Sequence, residues 1–443
     1  MMRRAVLVAV LLGAWAVDAP ADGGGKVTGL LEDTDRIAAE VAKLRGLKVK
    51  KTIKRGIKSK QDIRMSLLEN LERDTTTEEI AAEERMLKRL GMLAADADYK
   101  ALFVDLATEQ IAGFYDPWEK ELYIAEGIDL GGAGGFEDGP PVMAHEIDHA
   151  LQDQHFDLRS FMDAAGKDNG DAMLARQALV EGDGMAIMIE YMFARFGGDP
   201  PWGDPRVTNE LEAAFDGAVA PGSDLLSKAP LFMQVGMLFP YTGGLRFIMR
   251  YRRHHSWKRI DKMFARPPLS TEHILHPKKY SSYERPHDIA IKTVASLDGM
   301  KEIYRNVNGE LGLAVVLRQH GVDADAAEVA TDGWGGDRMA LYAPSTGDDG
   351  KPGSSVAVLY TTWDAVADAI EFFDAAVPAV ETLAAGKAVA ESDKRAAYTG
   401  AGGEAFTIER SGDTVVIIVG ADSVEAADAI AADVRKHWTV KRR

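Results

Sequence analysis

The stretch PVMAHEIDHALQDQHFDL, residues 141–158, sets two histidines four positions apart, with Glu146 directly after the first. No other feature limits the local fold as much. On an α-helix, residues four apart share a face with their Cβ atoms about 5–6 Å apart. His145 and His149 can therefore meet at one ion only if this stretch is helical. Neutral imidazoles bind zinc without cancelling its charge. Glu146, one step round the helix, sits beside the open coordination position, where a carboxylate can take a proton from bound water. The spacing predicts a helix over about 141–155, entered through Pro141, a residue type favoured in the first turn.

Composition narrows what else can hold an ion here. The chain has no cysteine, which excludes thiolate zinc sites, iron–sulfur clusters and a cysteine nucleophile. Further ligands must come from histidine or carboxylate, and two candidates compete for the third place. His155 lies six residues after His149, but bringing it back to the same ion needs a sharp turn at Gln152, where glycine would be expected. Glu181 lies in QALVEGDGMAIM (177–188), on a second long helix predicted from Asp171 to about Phe196 with Asn169 as its cap. Gly182 and Gly184 follow Glu181, and each glycine inside a helix costs about 1 kcal/mol relative to alanine. Two such glycines point to a close approach by another backbone, and a metal-binding helix crossing at Ala178 and Gly184 would supply one. Asp183 and Glu190 are weaker ligand candidates.

The N-terminus reads as a secretory signal peptide. MMRR is followed by the apolar run AVLVAVLLGAWAV (5–17) and by Ala19-Pro20-Ala21, giving cleavage before Asp22. The mature protein is then exported, periplasmic or extracellular, with no stable membrane span. A formal net charge of −17 argues against nucleic-acid binding, which needs a basic footprint. Helical spacing covers 28–47 and 61–98, separated by a lysine-rich stretch at 48–60 that reads as an extended segment with a solvated cationic face. EQIAGFYDPWEKELYIAEG (109–127) reads as a hairpin turning at Asp116-Pro117, and GGAGGFEDGPP (131–141) as a flexible connection. Further helices are expected at 206–219 and 229–265. Beyond about 320, SSVAVLYTTW and DTVVIIVG read as strands, with helical spacing in WDAVADAIEFFDAAV and SVEAADAIAADVRKHW. The resulting class is α+β, mainly helical with a small sheet, followed by a smaller α+β domain. The expected division is 1–21 signal, 22–108 helical N-terminal region, 109–300 core and 325–443 accessory domain.

With AHEIDHALQDQHFDL and ALVEGDG in view, the chain resembles the gluzincin metallopeptidases, especially exported bacterial members of that clan. GFYDPWEKELYI, FPYTGG (239–244) and PPLSTEHILHP (267–277) also look like family blocks, and the similarity spans roughly 40–290. The resemblance implies a zincin-like catalytic region, zinc as cofactor, His145, His149 and Glu181 as ligands, and Glu146 as catalytic base. Two departures stand out. Asp148 is charged where the zincin pattern prefers an uncharged residue. Met185 stands where thermolysin-like relatives carry an aspartate that orients a histidine, leaving Asp148, Asp171 or Asp183 as candidates for that task.

The expected function is zinc-dependent hydrolysis of peptide bonds in a peptide or protein substrate. Tyr241 and His276 are the candidate donors to the tetrahedral oxyanion. Tyr115 reads as packing, with a place in the cleft as the alternative, and Trp334 with Asp337 as a buried tryptophan beside a turn aspartate. Two other functions compete: an amidase or hydrolase acting on envelope polymers, and a non-enzymatic envelope protein whose zinc-stabilised helices present the C-terminal domain for binding. In the latter, His155 would close the site.

Overall fold

Local capping signals set many of the helix ends. The computed structural model describes residues 8–11, 29–126, 139–218 and 224–442. Helix α1 (Thr34–Arg45) ends at Gly46, whose φ of 78° is the left-handed conformation that glycine adopts without steric cost. Ser59 and Thr76 form reciprocal capping boxes with Asp62 and Glu79, starting the helices Lys60–Asp74 and Thr77–Arg89. The second box explains why the helical pattern read across 61–98 is broken.

The small sheet has the order β1-β3-β4-β2, from β1 (Val8–Leu11), β2 (Lys54–Lys58), β3 (Ile111–Asp116) and β4 (Glu121–Ala125). β3 and β4 form the hairpin read from the sequence, and the Asp116 carboxylate accepts from the backbone N–H groups of Trp118 and Glu119 in its turn. β2 runs parallel to β4, while β1 runs antiparallel to the outer edge of β3, Val8 opposite Tyr115. The expected cleavage site at 19–21 and most of the glycine-rich connection lie outside the described residues.

Three long helices pack behind this sheet: α2 (Gly139–Phe156), α3 (Gly170–Arg195) and α4 (Leu231–Arg252). The Asn169 side chain accepts from the Ala172 N–H and caps α3. Ile147 and Leu151 of α2, Leu179 and Ile187 of α3, and Leu245 and Ile248 of α4 share one core. Complete burial of each such side chain contributes roughly 1.5–3 kcal/mol. The helix expected over 229–265 is two helices, because the chain leaves α4 at Arg252 and restarts at Trp257.

The C-terminal sheet has seven strands in the order β6-β7-β8-β12-β11-β10-β9. They are β6 (Met300–Asn306), β7 (Trp334–Pro344), β8 (Val356–Trp363), β9 (Lys387–Ser392), β10 (Arg395–Thr399), β11 (Ala405–Ser411) and β12 (Thr414–Ala421). Val415, Ile417 and Val419 of β12 join the core on one face, while Val416 and Ile418 join the core on the other. That alternation is the two-residue period of a strand buried on both sides. The helix Val366–Ala384 covers the first face with Phe372 and Phe373, and the helix Val424–His437 covers the second with Ile430 and Val434.

Two boundaries differ from the sequence reading. The C-terminal domain begins near residue 300 rather than 325, because β6 pairs with β7 and helix α5 (Gly309–Gln319) gives Leu313 and Leu317 to the same core. β6 is an edge strand with a mixed burial pattern, so it lacks the apolar alternation that marked later strands. Nor does 22–108 stand as a unit. Ile37 and Val41 of α1 enter the helical core, whereas Ala82 and Met86 enter the C-terminal core, where Arg85 also pairs with Asp348 at 2.9 Å. The fold is α+β, with a mainly helical region and a sheet-rich C-terminal domain. Among the described residues, no helix is long and apolar enough to cross a membrane.

Candidate metal centre

Helices α2 and α3 bring three side chains to one point. His145 Nε2 lies 3.2 Å and His149 Nε2 3.3 Å from the same Glu181 oxygen, and all three side chains are fully buried. The two rings stand edge to face with centroids 4.5 Å apart. The donor atoms of all three residues lie within 4.8 Å of one another, close enough to share an ion. Two imidazoles and one carboxylate are a zinc donor set that leaves a fourth position for water or substrate. The residues therefore fit the metal.

The glycines after Glu181 have separate reasons. A Cβ on Gly184 would stand 2.9 Å from His145 Cε1, so glycine is what lets the His145 ring lie against α3. A Cβ on Gly182 would meet the Gly244 backbone at 2.3 Å, and one on Gly244 would meet the Ala178 carbonyl oxygen at 2.0 Å. At this crossing α3 and α4 touch backbone to backbone, and Gly244, the second glycine of FPYTGG, is half of the contact, while Gly243 makes room for the Phe239 ring of its own helix. The expected close approach of a second backbone is thus made by α4 at Gly182, while α2 approaches at Gly184.

Electrostatics separates the two histidines. Burial, helped by the neighbouring His149, pulls His145 down to about 4, so this ring stays neutral. Burial opposes charge on His149 as well, but Glu181 and Glu146 outweigh it and raise the ring to about 9. The two histidines in turn hold Glu181 below its ordinary value against the pull of burial. Without a metal, one proton on His149 is the positive charge set against buried carboxylate. A divalent cation held there would supply that charge in its place, and its binding would release the proton.

Gln152 orients His149. Its side-chain oxygen lies 3.0 Å from His149 Nδ1, while its amide donates to Asp148 at 3.0 Å and to the Val180 carbonyl at 3.1 Å. With the amide so committed, the oxygen accepts from Nδ1–H and leaves Nε2 facing Glu181. The sequence reading passed over Gln152 for this task, although its position one helical turn after His149 was a usable signal. Asp148 acts one step further out. Asp183 makes two bonds of 2.8 Å with the fully buried Arg45, which also lies 3.9 Å from Asp148. Asp171 sits elsewhere, accepting from Thr271.

Glu146 is fully buried on α2, and β3 passes beside it: a Cβ on Gly113 would lie 3.5 Å from Glu146 Cγ. Tyr241 of α4 stacks on His145 with centroids 6.4 Å apart. Burial, the charges of Glu181 and Glu146, and a hydrogen bond to Glu181 all keep its hydroxyl protonated.

Residues 297–431 match a family described as a domain of unknown function (DUF8575). The match starts within three residues of β6, close to the domain boundary in the fold. No curated protein and no solved structure matches the chain.

The remaining candidates fall outside the cluster. His276 faces the C-terminal domain, with its Nε2 2.8 Å from Glu310 and 3.8 Å from Asp332. It belongs to a separate group of side chains, because the short helix Thr271–Leu275 that precedes it packs on α5. His155 is only partly buried and binds the Lys48 carbonyl oxygen at 2.8 Å, so it does not turn back to close the site. Glu190 accepts from Trp202 and Trp257 and pairs with Arg252 at 2.6 Å. The Tyr115 hydroxyl donates to Asp153 at 2.9 Å, a packing role at the end of α2. Within the C-terminal domain, Trp334 is buried and donates to Asp337 at 3.1 Å.

Proposed function

We propose that this protein is an exported zinc-dependent hydrolase that cleaves peptide bonds. The observation that carries the proposal is the meeting of His145, His149 and Glu181 from two helices at one buried point, with Glu146 on the same helix as both histidines. His145, His149 and Glu181 would hold the ion. Zinc bound there would polarise the scissile carbonyl and acidify a water.

The chain's own groups supply the rest. Glu146 accepts the proton of the attacking water and passes it to the leaving amine. The Tyr241 hydroxyl, kept protonated by its surroundings, donates to the developing oxyanion. Gln152 holds His149 in one tautomer. Val8–Leu11 pairs with the outer edge of β3 and also packs on α2. Removal of residues 1–21 would free that edge, next to Glu146, for an extended peptide to pair with.

The test uses zinc-loaded residues 22–443 and a fluorescently labelled denatured protein. Glu146→Gln should lower turnover by about 10²–10⁴-fold while zinc remains bound. Undiminished turnover in this variant would remove Glu146 as the base. Turnover of isolated envelope polysaccharide or its peptide cross-links, with none on the labelled protein, would replace protein by an envelope polymer as the substrate. The full chain should be less active than residues 22–443, because its β3 edge is occupied.

A further inference from the structure

Helix α3 carries another buried polar group before it reaches Glu181. Arg176 is 8% exposed, and its Nη1 and Nη2 donate to the carbonyl oxygens of Phe161 and Ala164. Its Nε has no hydrogen-bond partner, and among the described residues no carboxylate forms an ion pair with it. The guanidinium also lies over the Phe161 ring, 5.1 Å from its centroid, but carbonyls and an aromatic face carry no net charge, and a charge taken out of water needs a counter-charge. Burial correspondingly pulls its pKa below the usual arginine value.

Asp171, five residues earlier on the same helix, is 3% exposed. Its Oδ1 accepts from the Thr271 N–H at 3.0 Å and from the Thr271 hydroxyl at 2.5 Å, while Oδ2 has no partner. Burial pushes this carboxyl up to about 8, so at neutral pH it keeps a proton and Oδ2 offers a donor.

Arg176 and Asp171 line one cavity of about 270 Å³ between α3 and the C-terminal sheet. That is more than ten times the roughly 10–15 Å³ that one water needs. Arg338 and His287 line it from the opposite side and Arg285 adds a third guanidinium. Asp337 also faces it, but its carboxylate already accepts from the backbone of Asn308 and Gly309 and from Trp334. Arg338 donates to the carbonyl oxygens of Ile289 and Asp168 and pairs with the Asp168 carboxylate at 3.4 Å, and His287 Nδ1 lies 3.0 Å from the Thr362 hydroxyl. That leaves Arg176 Nε and Asp171 Oδ2 as the buried groups in the lining without a partner. Asp288 is the remaining acid in the lining and lies 4.0 Å from Arg338.

We propose that this interdomain cavity binds a small oxyanion, the carboxylate or phosphate group of a low-molecular-weight ligand, with Arg176 as its counter-charge. The site uses none of the residues of the candidate metal centre, and binding can be read without any assay of hydrolysis.

The experiment is calorimetric titration of the full chain with inorganic phosphate, acetate and succinate at constant ionic strength, with chloride as reference. Thermal unfolding is followed in parallel. Saturable binding of at least one of these with a matching rise in Tm is expected, weakened at least tenfold in Arg176→Gln. A response to phosphate alone identifies a phosphate ligand, and a response to acetate or succinate alone an organic acid. No saturable response beyond chloride overturns the proposal, as does unchanged affinity in Arg176→Gln. Should that variant not fold, Ala172→Leu decides: it fills the cavity wall and leaves the guanidinium, so retained binding overturns the proposal.

Discussion

Among the described residues, histidine and carboxylate cluster at the α2–α3 crossing and at the junction with the C-terminal domain, and the two places differ in what neutralises them. At the junction, Lys279 Nζ lies 2.6 Å from Glu272, 2.7 Å from Asp364 and 3.2 Å from Glu284, and His276 is paired with Glu310. Cations of the protein itself serve these acids. At the α2–α3 crossing, Glu181 faces two imidazoles, one of which burial keeps neutral, and the Tyr241 hydroxyl. The same residue types thus make a structural ion-pair network in one place and a candidate ligand set in the other. What decides is whether lysine or arginine reaches the carboxylate.

The largest effect that could break this contrast is in metal content. His149→Ala should take bound zinc from about one per chain to none, while His276→Ala should leave it unchanged; elemental analysis of the purified proteins reads both. Equal loss in the two would merge the clusters into one site. A smaller effect is expected at Gln152. Gln152→Leu should weaken zinc about 10–100-fold, as removal of a group that orients a metal-binding histidine does. Competition with a chelator measures the change, and unaltered affinity would mean that His149 is oriented by its packing alone.

At the junction, Lys279→Met should leave zinc affinity intact and destabilise the fold by roughly 1–3 kcal/mol, since buried Glu272 would lose its closest cation. Denaturant unfolding tests it, and a neutral result would show that Glu272 is protonated in the folded chain. The smallest effect concerns pH. Asp171 sits near 8 in the folded protein against its ordinary 3.8, because of burial. The folded state therefore holds a proton that the unfolded chain has released. This contribution is fully present below about 3.8 and is lost as pH rises through about 8. The Tm of Asp171→Asn should accordingly gain on the parent between pH 6 and pH 9, and a constant difference would put the carboxyl at an ordinary pKa.

Much of the architecture was legible wherever a local rule acted alone. The stretch TVVIIVGA is apolar at every position but its ends, as a strand buried on both faces must be. Asn169 lies where a cap for the second long helix was expected, and Asp116 turns the hairpin. The spacing of His145 and His149 fixed a shared helix face before any coordinate was known. What was hidden depended on distance along the chain. Arg45 and Asp183 are 138 residues apart, and no periodicity links them. β6 was missed because an edge strand need not alternate. His276 was a candidate donor from its place in PPLSTEHILHP, and only the fold shows that Glu310 pairs with it.

The contact between Gly182 and Gly244 has a consequence for how this chain can vary. Each position is filled by the backbone opposite, so neither accepts even a methyl group unless α3 and α4 move apart. Helix α3 also carries Glu181, which meets His145 and His149 of α2, so the crossing and the cluster share one helix. Most interior positions can drift through paired, volume-conserving changes, but here there is no side chain on either helix to trade. A lineage carrying this crossing can rework its surface and its loops, yet it inherits the crossing whole or loses it whole.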